Sequence, residues 1–265
     1  MSKKNPNKIP KKPSKKARKK EPKFWVKKNQ PLLSLKPTQF SLGMLEVEFK
    51  VLEMKQISQR KLNRLIKHTA IPIVISPWKE LCIIDHHHFA FACWHAGITR
   101  IRVEVVKDLS SSKLSYHRFW QKMARLNFSH PYDQFGTGPH GALYLPMDIR
   151  GMADDPYRSL AWMVRKEGGY NNSDEPFAEF QWADFFRERK LLDVQGRLGF
   201  HKAIQRGLRL ARSPQARRLT GFMPSKKTRK RVESVVLSKS HYVPKRQKKG
   251  DLASIPVVRK GRELV

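Results

Sequence analysis

Acid is scarce in this chain beside base: 22 Asp and Glu stand against 55 Lys and Arg in 265 residues, a formal net charge of +33. That imbalance excludes an acidic, cation-buffering protein and points to polyanionic partners. Cysteine is nearly absent too. Cys82 and Cys93 fall in an apolar strand and a helix with no Cys-x-x-Cys motif. This excludes a disulfide framework and suits a reducing compartment, with both thiols as small core residues. A zinc set of Cys82, His86 or His88, Cys93 and His95 matches no established finger or ribbon spacing. No stretch approaches 18 consecutive apolar residues, so no membrane-spanning helix is expected. The basic amino end is followed by no apolar segment of the kind a secretory signal needs. A phosphate-cradling P-loop is missing as well, because Gly136-Thr137-Gly138 lacks the strand-Gly-x-x-x-x-Gly-Lys context.

The positive charge is concentrated at the two ends. Residues 1–30 hold 13 Lys and Arg against one acid, and residues 201–265 hold 19 against three. The middle, 31–200, holds 23 against 18, close to an ordinary globular surface. The first segment is Lys- and Pro-rich with almost nothing apolar before Phe24-Trp25-Val26, so it cannot bury enough surface to fold alone. Lys11, Lys12, Lys15, Lys16, Arg18, Lys19 and Lys20 form its densest run and are the expected nucleic-acid-binding residues, acting by counterion release. A membrane surface is the weaker partner, because no apolar face is interleaved with these charges.

Between the tails the pattern changes once. Leu45, Val47, Phe49 and Val51 alternate loosely, as in a strand or irregular edge, and Ile57–His68 has the spacing of a short amphipathic helix. Ile73-Val74-Ile75, a connection through Ser76–Glu80, and Leu81–Ile84 then read as two strands. A helix from Phe89 to Ala96 ends at Gly97, and Ile101–Val105 is an alternating strand. From Ser110 onward the periodicity is helical: Ser112–Asn127, Arg158–Glu167, Phe177–Leu192 and Leu198–Ala211, the last basic on one face. The Gly- and Pro-rich loop from His130 to Arg150 is long for a compact domain, a length often functional.

Asp85-His86-His87-His88 is the most chemically loaded run. It sits where an apolar strand turns into a helix, a place where free backbone N–H groups favour anions. Asp85 is a plausible helix cap, its carboxylate accepting from first-turn N–H groups. Successive helical residues are about 100° apart, so the three imidazoles cannot share one direction. One is expected to reach a pocket, one to pack and one to meet solvent. Imidazoles there are able to ligate a metal, move a proton or donate to phosphate.

This junction resembles the Asp-Gly-His-His-Arg type signature of the ParB/sulfiredoxin superfamily, and more closely its ParB-like nuclease family. The likeness is carried by Leu35-Lys36-Pro37-Thr38-Gln39, Gly43, Glu46-Val47, Lys50, Ile71–Val74 and Asp85–His88. It continues through Asp108-Leu109-Ser110, Phe119-Trp120, His130–Asp133, Asp154–Leu160, Gly168-Gly169-Tyr170 and Pro176–Phe185, together spanning about residues 33 to 192. The resemblance implies an α+β (mixed α/β) fold, with a small sheet core followed by a helical subdomain. The expected boundaries are a basic disordered tail over 1–30, the α/β core over 31–110, a helical subdomain completing the same domain over 111–212, and a second basic, largely disordered tail over 213–265. It also implies a pocket beside the histidines, with His87 facing it and Asp85 orienting it or holding a metal-bound water. Phe89 follows the histidines where superfamily relatives often carry a phosphate-contacting Arg.

Asp154-Asp155-Pro156 is a helix start, with Asp155 as cap and Pro156 in the first turn. The same acids, with Asp85, are candidate ligands for Mg²⁺ or Mn²⁺. Arg158 and Arg165 lie seven apart and so share a helix face suited to phosphate. Glu179 is expected to meet the pocket while Asp184 points elsewhere and Phe177, Phe180 and Phe185 pack. His130 and Asp133 are placed near the pocket by the resemblance. The first expectation is a nuclease hydrolysing nucleic-acid phosphodiesters, DNA before RNA, with Asp85, His86, His87 and His88 as the catalytic group and divalent metal assistance. The alternative is a non-catalytic, nucleotide-gated, partition-like DNA-binding protein, against which stands the lack of a helix-turn-helix after residue 200. Superfamily kinases of small molecules place an acid near the Leu-x-Pro segment, where this chain has Gln39, so that reading falls unless the loop folds back to bring Glu46 there. A cytoplasmic location follows, nucleoid-associated in a bacterium.

Overall fold

The computed structural model describes residues 28–193 and 196–224. The lysine-rich run from Lys11 to Lys20 and the segment beyond residue 224 lie outside the described residues. The chain runs β1 (Asn29–Pro31), β2 (Leu35–Lys36), β3 (Ser41–Leu42), α1 (Met44–Gln56), α2 (Gln59–His68), β4 (Ile71–Ile75), β5 (Leu81–Ile83), α3 (His87–His95), β6 (Arg100–Asp108), α4 (Tyr116–Arg125), β7 (Ala153–Asp154), α5 (Pro156–Lys166), α6 (Ala178–Glu188) and α7 (Gly196–Ala211). This is a mixed α+β fold. Among the described residues no helix is long and apolar enough to cross a membrane.

One sheet has the strand order β1-β6-β4-β5-β2. Its central strand β4 is β-branched at Ile71, Ile73, Val74 and Ile75, all fully buried, as a strand covered on both faces must be. It pairs antiparallel with β5 through the Ser76–Glu80 turn and parallel with β6, the latter through the crossover helix α3. A small parallel ribbon, β3 with β7, joins the start of α1 to the start of α5.

The segment expected to alternate as a strand is instead the helix α1, and the cause is burial on two sides. Met44, Val47, Val51 and Met54 face the core under the sheet, with Leu32, Ile71, Ile73 and Phe91. Leu45 and Phe49 face a second core among α5, α6 and α7, with Trp162, Trp182, Phe186 and Phe200. A helix between two cores loses the single apolar stripe that marks a helix in sequence. Residues on the tail side of both expected boundaries also pack on the domain. Asn29 and Gln30 pair with Arg102 and Ile101 in β6. At the other end Ala216, Leu219 and Phe222 pack on the helical core, and Thr220 accepts from the Trp182 indole at 2.9 Å. Apolar residues spaced through an otherwise basic stretch hold this segment on the helical core.

Candidate functional site

After β5 the backbone turns through Asp85 and His86, and α3 begins at His87. His86 takes a left-handed conformation, φ +65°, and its N–H donates to the Asp85 carboxylate at 2.6 Å. Asp85 therefore does not cap α3 as expected; its carboxylate is engaged by the adjacent residue, short of the first-turn N–H groups. The three imidazoles go to three environments. His86 is exposed, with Nδ1 3.2 Å from the Ala70 carbonyl. His87 is buried, its Nε2 accepting from the Thr38 N–H at 3.3 Å, and Thr38 in turn donates from its hydroxyl to Ile83 O at 2.6 Å. Burial, with the neighbouring His88 and His86, pushes the His87 pKa down to about 3. His87, the histidine expected to face the pocket, thus sits neutral against the loop after β2.

His88 reaches the charged groups. Its Nε2 accepts from the Gly43 N–H at 3.0 Å and lies 3.7 Å from a Glu46 oxygen. Burial first, then the nearby Arg158, holds its pKa well below the usual histidine value, so the ring is neutral. Glu46 is bound by Lys50 at 3.3 Å, one helical turn along α1, and by Arg158 at 3.2 Å. Arg158 also pairs with Glu179 of α6, which Arg165 meets from the other side. Three cations and two carboxylates, with a neutral imidazole, make a cluster of one net positive charge at the seam of α1, α3, α5 and α6. Arg158 is 8% exposed at its side chain, and its Nε and Nη1 have no hydrogen-bond partner. Such buried donors are costly unless a ligand or water satisfies them. The Arg158 guanidinium lies over the Phe180 ring at 5.6 Å, and His130 stacks on the same ring at 4.0 Å.

Gly43 makes the close approach possible. A Cβ there would stand 2.8 Å from the Ser159 backbone nitrogen, so only glycine lets α1 start this near to α5. Leu45 N–H donates to the Ser159 hydroxyl of α5 at 3.2 Å and Met44 N–H to Asp154 of β7 at 3.0 Å, tying the start of α1 to both.

Asp155 caps α5, accepting from the Tyr157 and Arg158 N–H groups at 2.9 and 3.2 Å, with Pro156 following. Its other oxygen takes Arg187 at 2.6 Å. Arg187 also holds Asp184, whose pKa burial raises to about 6. Asp133 organises the long loop by accepting from the N–H groups of Phe135 and Thr137, both at 2.9 Å, and from the His140 ring at 3.0 Å. His130 donates its backbone N–H to Thr38 at 2.9 Å, so the loop starts beside the residue that fixes His87.

The expected site residues are therefore only partly brought together. His88, Arg158, Arg165 and Glu179 meet, whereas Asp85 and His86 are at the surface and His87 is packed away. Asp85, Asp154 and Asp155 do not fit a shared divalent-metal site: their carboxylates take the His86 N–H, the Met44 N–H and the α5 cap with Arg187. Among the described residues no group of three His, Cys, Asp or Glu is arranged to hold a metal ion. The loose alternation of Leu45 to Val51, which suggests a strand or irregular edge, hides Glu46 and Lys50 as site residues. On a helix their spacing of four puts them on one face as an ion pair.

Residues 29–188 match the family described as "Putative ParB-like nuclease", and the chain belongs to that family. Among solved structures it is similar to protein Atu1540 from Agrobacterium tumefaciens, with 32% identity and a TM-score of 0.65, over 75% of this chain and 96% of the other. No curated protein matches it.

Proposed function

We propose that the protein hydrolyses nucleic-acid phosphodiesters, DNA before RNA, at the Glu46–His88–Arg158–Glu179 cluster. The observation that carries this reading is the buried Arg158 guanidinium with two nitrogens free of any acceptor, in a cluster of net positive charge. A phosphate oxygen satisfies those donors, and Arg165 and Lys50 add charge on either side. Cations fixed in a partly desolvated seam stabilise the charge that builds on phosphate oxygens during attack. Glu46 and Glu179 are the proton acceptors in reach of a water held there. His88 keeps the α1 start in place by accepting from the Gly43 N–H and is a positioning residue. Family membership and the +33 net charge support a nucleic-acid substrate.

The test is supercoiled plasmid incubated with the full chain, with and without Mg²⁺ or Mn²⁺, beside Glu46→Gln and His87→Gln. Nicking by wild type and His87→Gln, lost in Glu46→Gln with DNA affinity retained, is the expected result. No nicking by wild type under any condition would replace hydrolysis with binding alone.

A further inference from the structure

α2 carries no acid. Its sequence, Gln59 to His68, places Leu62, Leu65 and Ile66 against the sheet core and leaves Arg60, Arg64 and Lys67 exposed on the opposite side, with Lys61 exposed at its flank. From Arg60 to Lys67 the helix rises about 10 Å, a length over which duplex DNA presents about six phosphate charges. The row does not end with the helix. Arg102 of β6 donates to the Lys67 carbonyl at 2.9 Å, and Arg100 donates to the Asn29 carbonyl at 2.9 Å. Each guanidinium is thereby held by a backbone oxygen, which fixes its position and leaves its charge unneutralised. Asn29, Asn63, Lys67, Arg100 and Arg102 line a cleft of about 270 Å³ between the helix and the strand. Glu104 follows Arg100 and Arg102 along the same side of β6 and marks where the basic strip stops.

We infer that α2 and the adjoining end of β6 form a docking face for the phosphate backbone of duplex DNA, separate from the basic tails. Charge complementarity selects this occupant: four exposed cations in one helix without a carboxylate suit a polyanion, and the chain's own tails carry a net charge of the same sign. The face also connects to the cluster. His86 contacts Ala70, just past the end of α2, and His88, two residues on, contacts Gly43 and Glu46. The histidine turn thus links the end of α2 to the Arg158 seam. The inference rests on nucleic acid as the partner and does not require hydrolysis.

The experiment uses the full chain and a fluorescent DNA duplex, with affinity measured across a salt series. Substituting Arg60, Lys61, Arg64 and Lys67 together with Gln, a good helix former, should lower the salt slope by about three to four. A control with the same charge loss, Arg118→Gln, Arg125→Gln, Lys202→Gln and Arg209→Gln, should change it by less than about one. Equal losses in both would overturn the inference, since net charge alone would then account for binding. Acetylation footprinting of the wild type supplies a readout free of folding effects. Lys61 and Lys67 should be protected by the duplex while Lys202 is not; absence of that protection also overturns it. Plasmid nicking, followed in parallel, separates the two readings: protection without nicking keeps the docking face and removes hydrolysis.

Discussion

The two cores flanking α1 treat polar groups in opposite ways. Under the sheet, Leu32, Ile71, Ile73, Ile83 and Phe91 are packed with apolar neighbours, and His87 at the start of α3 is buried in its neutral form. In the helical half, Arg158 and Asp155 are buried as charged partners of Glu46, Glu179 and Arg187, beside Trp162 and Phe186. The sheet half keeps charge out by holding a titratable ring in its uncharged state. The helical half keeps charge in by surrounding each ion with opposite ones. Reactive potential therefore collects along the seam, where a neutral imidazole from one side meets a guanidinium from the other.

The contrast breaks most severely at Arg158. Arg158→Ala leaves Glu46 and Glu179 buried without their shared cation and should destabilise the fold by about 3–5 kcal/mol, read by urea unfolding. Adding Glu46→Gln and Glu179→Gln to Arg158→Met should recover most of that loss, because no carboxylate is then buried without its shared cation, and the Lys50 and Arg165 that remain are the more exposed members of the cluster, at 32% and 23%. A triple variant no more stable than Arg158→Ala would mean that packing, and not charge, dominates there. Next comes the approach of the helices. Gly43→Ala should cost about 2 kcal/mol, since the new methyl meets the Ser159 backbone. Wild-type stability in that variant would show that α1 shifts freely.

The sheet half is probed by pH. Folded His87 has its pKa lowered from 6.5 to about 3, so between those values the unfolded chain binds a proton that the folded chain does not. Its contribution is complete above pH 6.5 and declines as pH falls through that window. The decline is about 1.4 kcal/mol per pH unit. His88 and His130 are shifted in the same direction and steepen the total. Melting curves at pH 7, 6 and 5 should show His87→Gln with the shallower dependence; parallel curves would place a charged His87 in the fold. The smallest effect belongs to Lys36→Gln. The Lys36–Glu80 pair at 3.4 Å lies at the edge of the sheet half, and losing it should cost less than about 1 kcal/mol.

Local signals in the sequence carried much of the fold. β4 and β5 are short β-branched or apolar runs on either side of a Pro-containing turn, and Asp155-Pro156 starts α5 by chemistry confined to two residues. What escaped depends on distant parts of the chain. Leu45, Val47, Phe49 and Val51 mimic a strand because each alternate residue serves a different core. Asp85 looks like a helix cap until the left-handed turn at His86 takes its carboxylate. Which histidine meets charge was not legible either, because His87 and His88 are sorted by Thr38, Gly43 and Glu46, some 40 to 50 residues earlier.

α1 gives one face to each core, and this bears on how such a molecule can be inherited. A gene fragment ending after β6 would keep α1 and leave Leu45 and Phe49 uncovered. A fragment beginning at α4 would supply the helices without the surface they close upon. Neither piece is a transferable module, so recombination can move this fold only whole, and its surface can diversify far more readily than the seam between its halves.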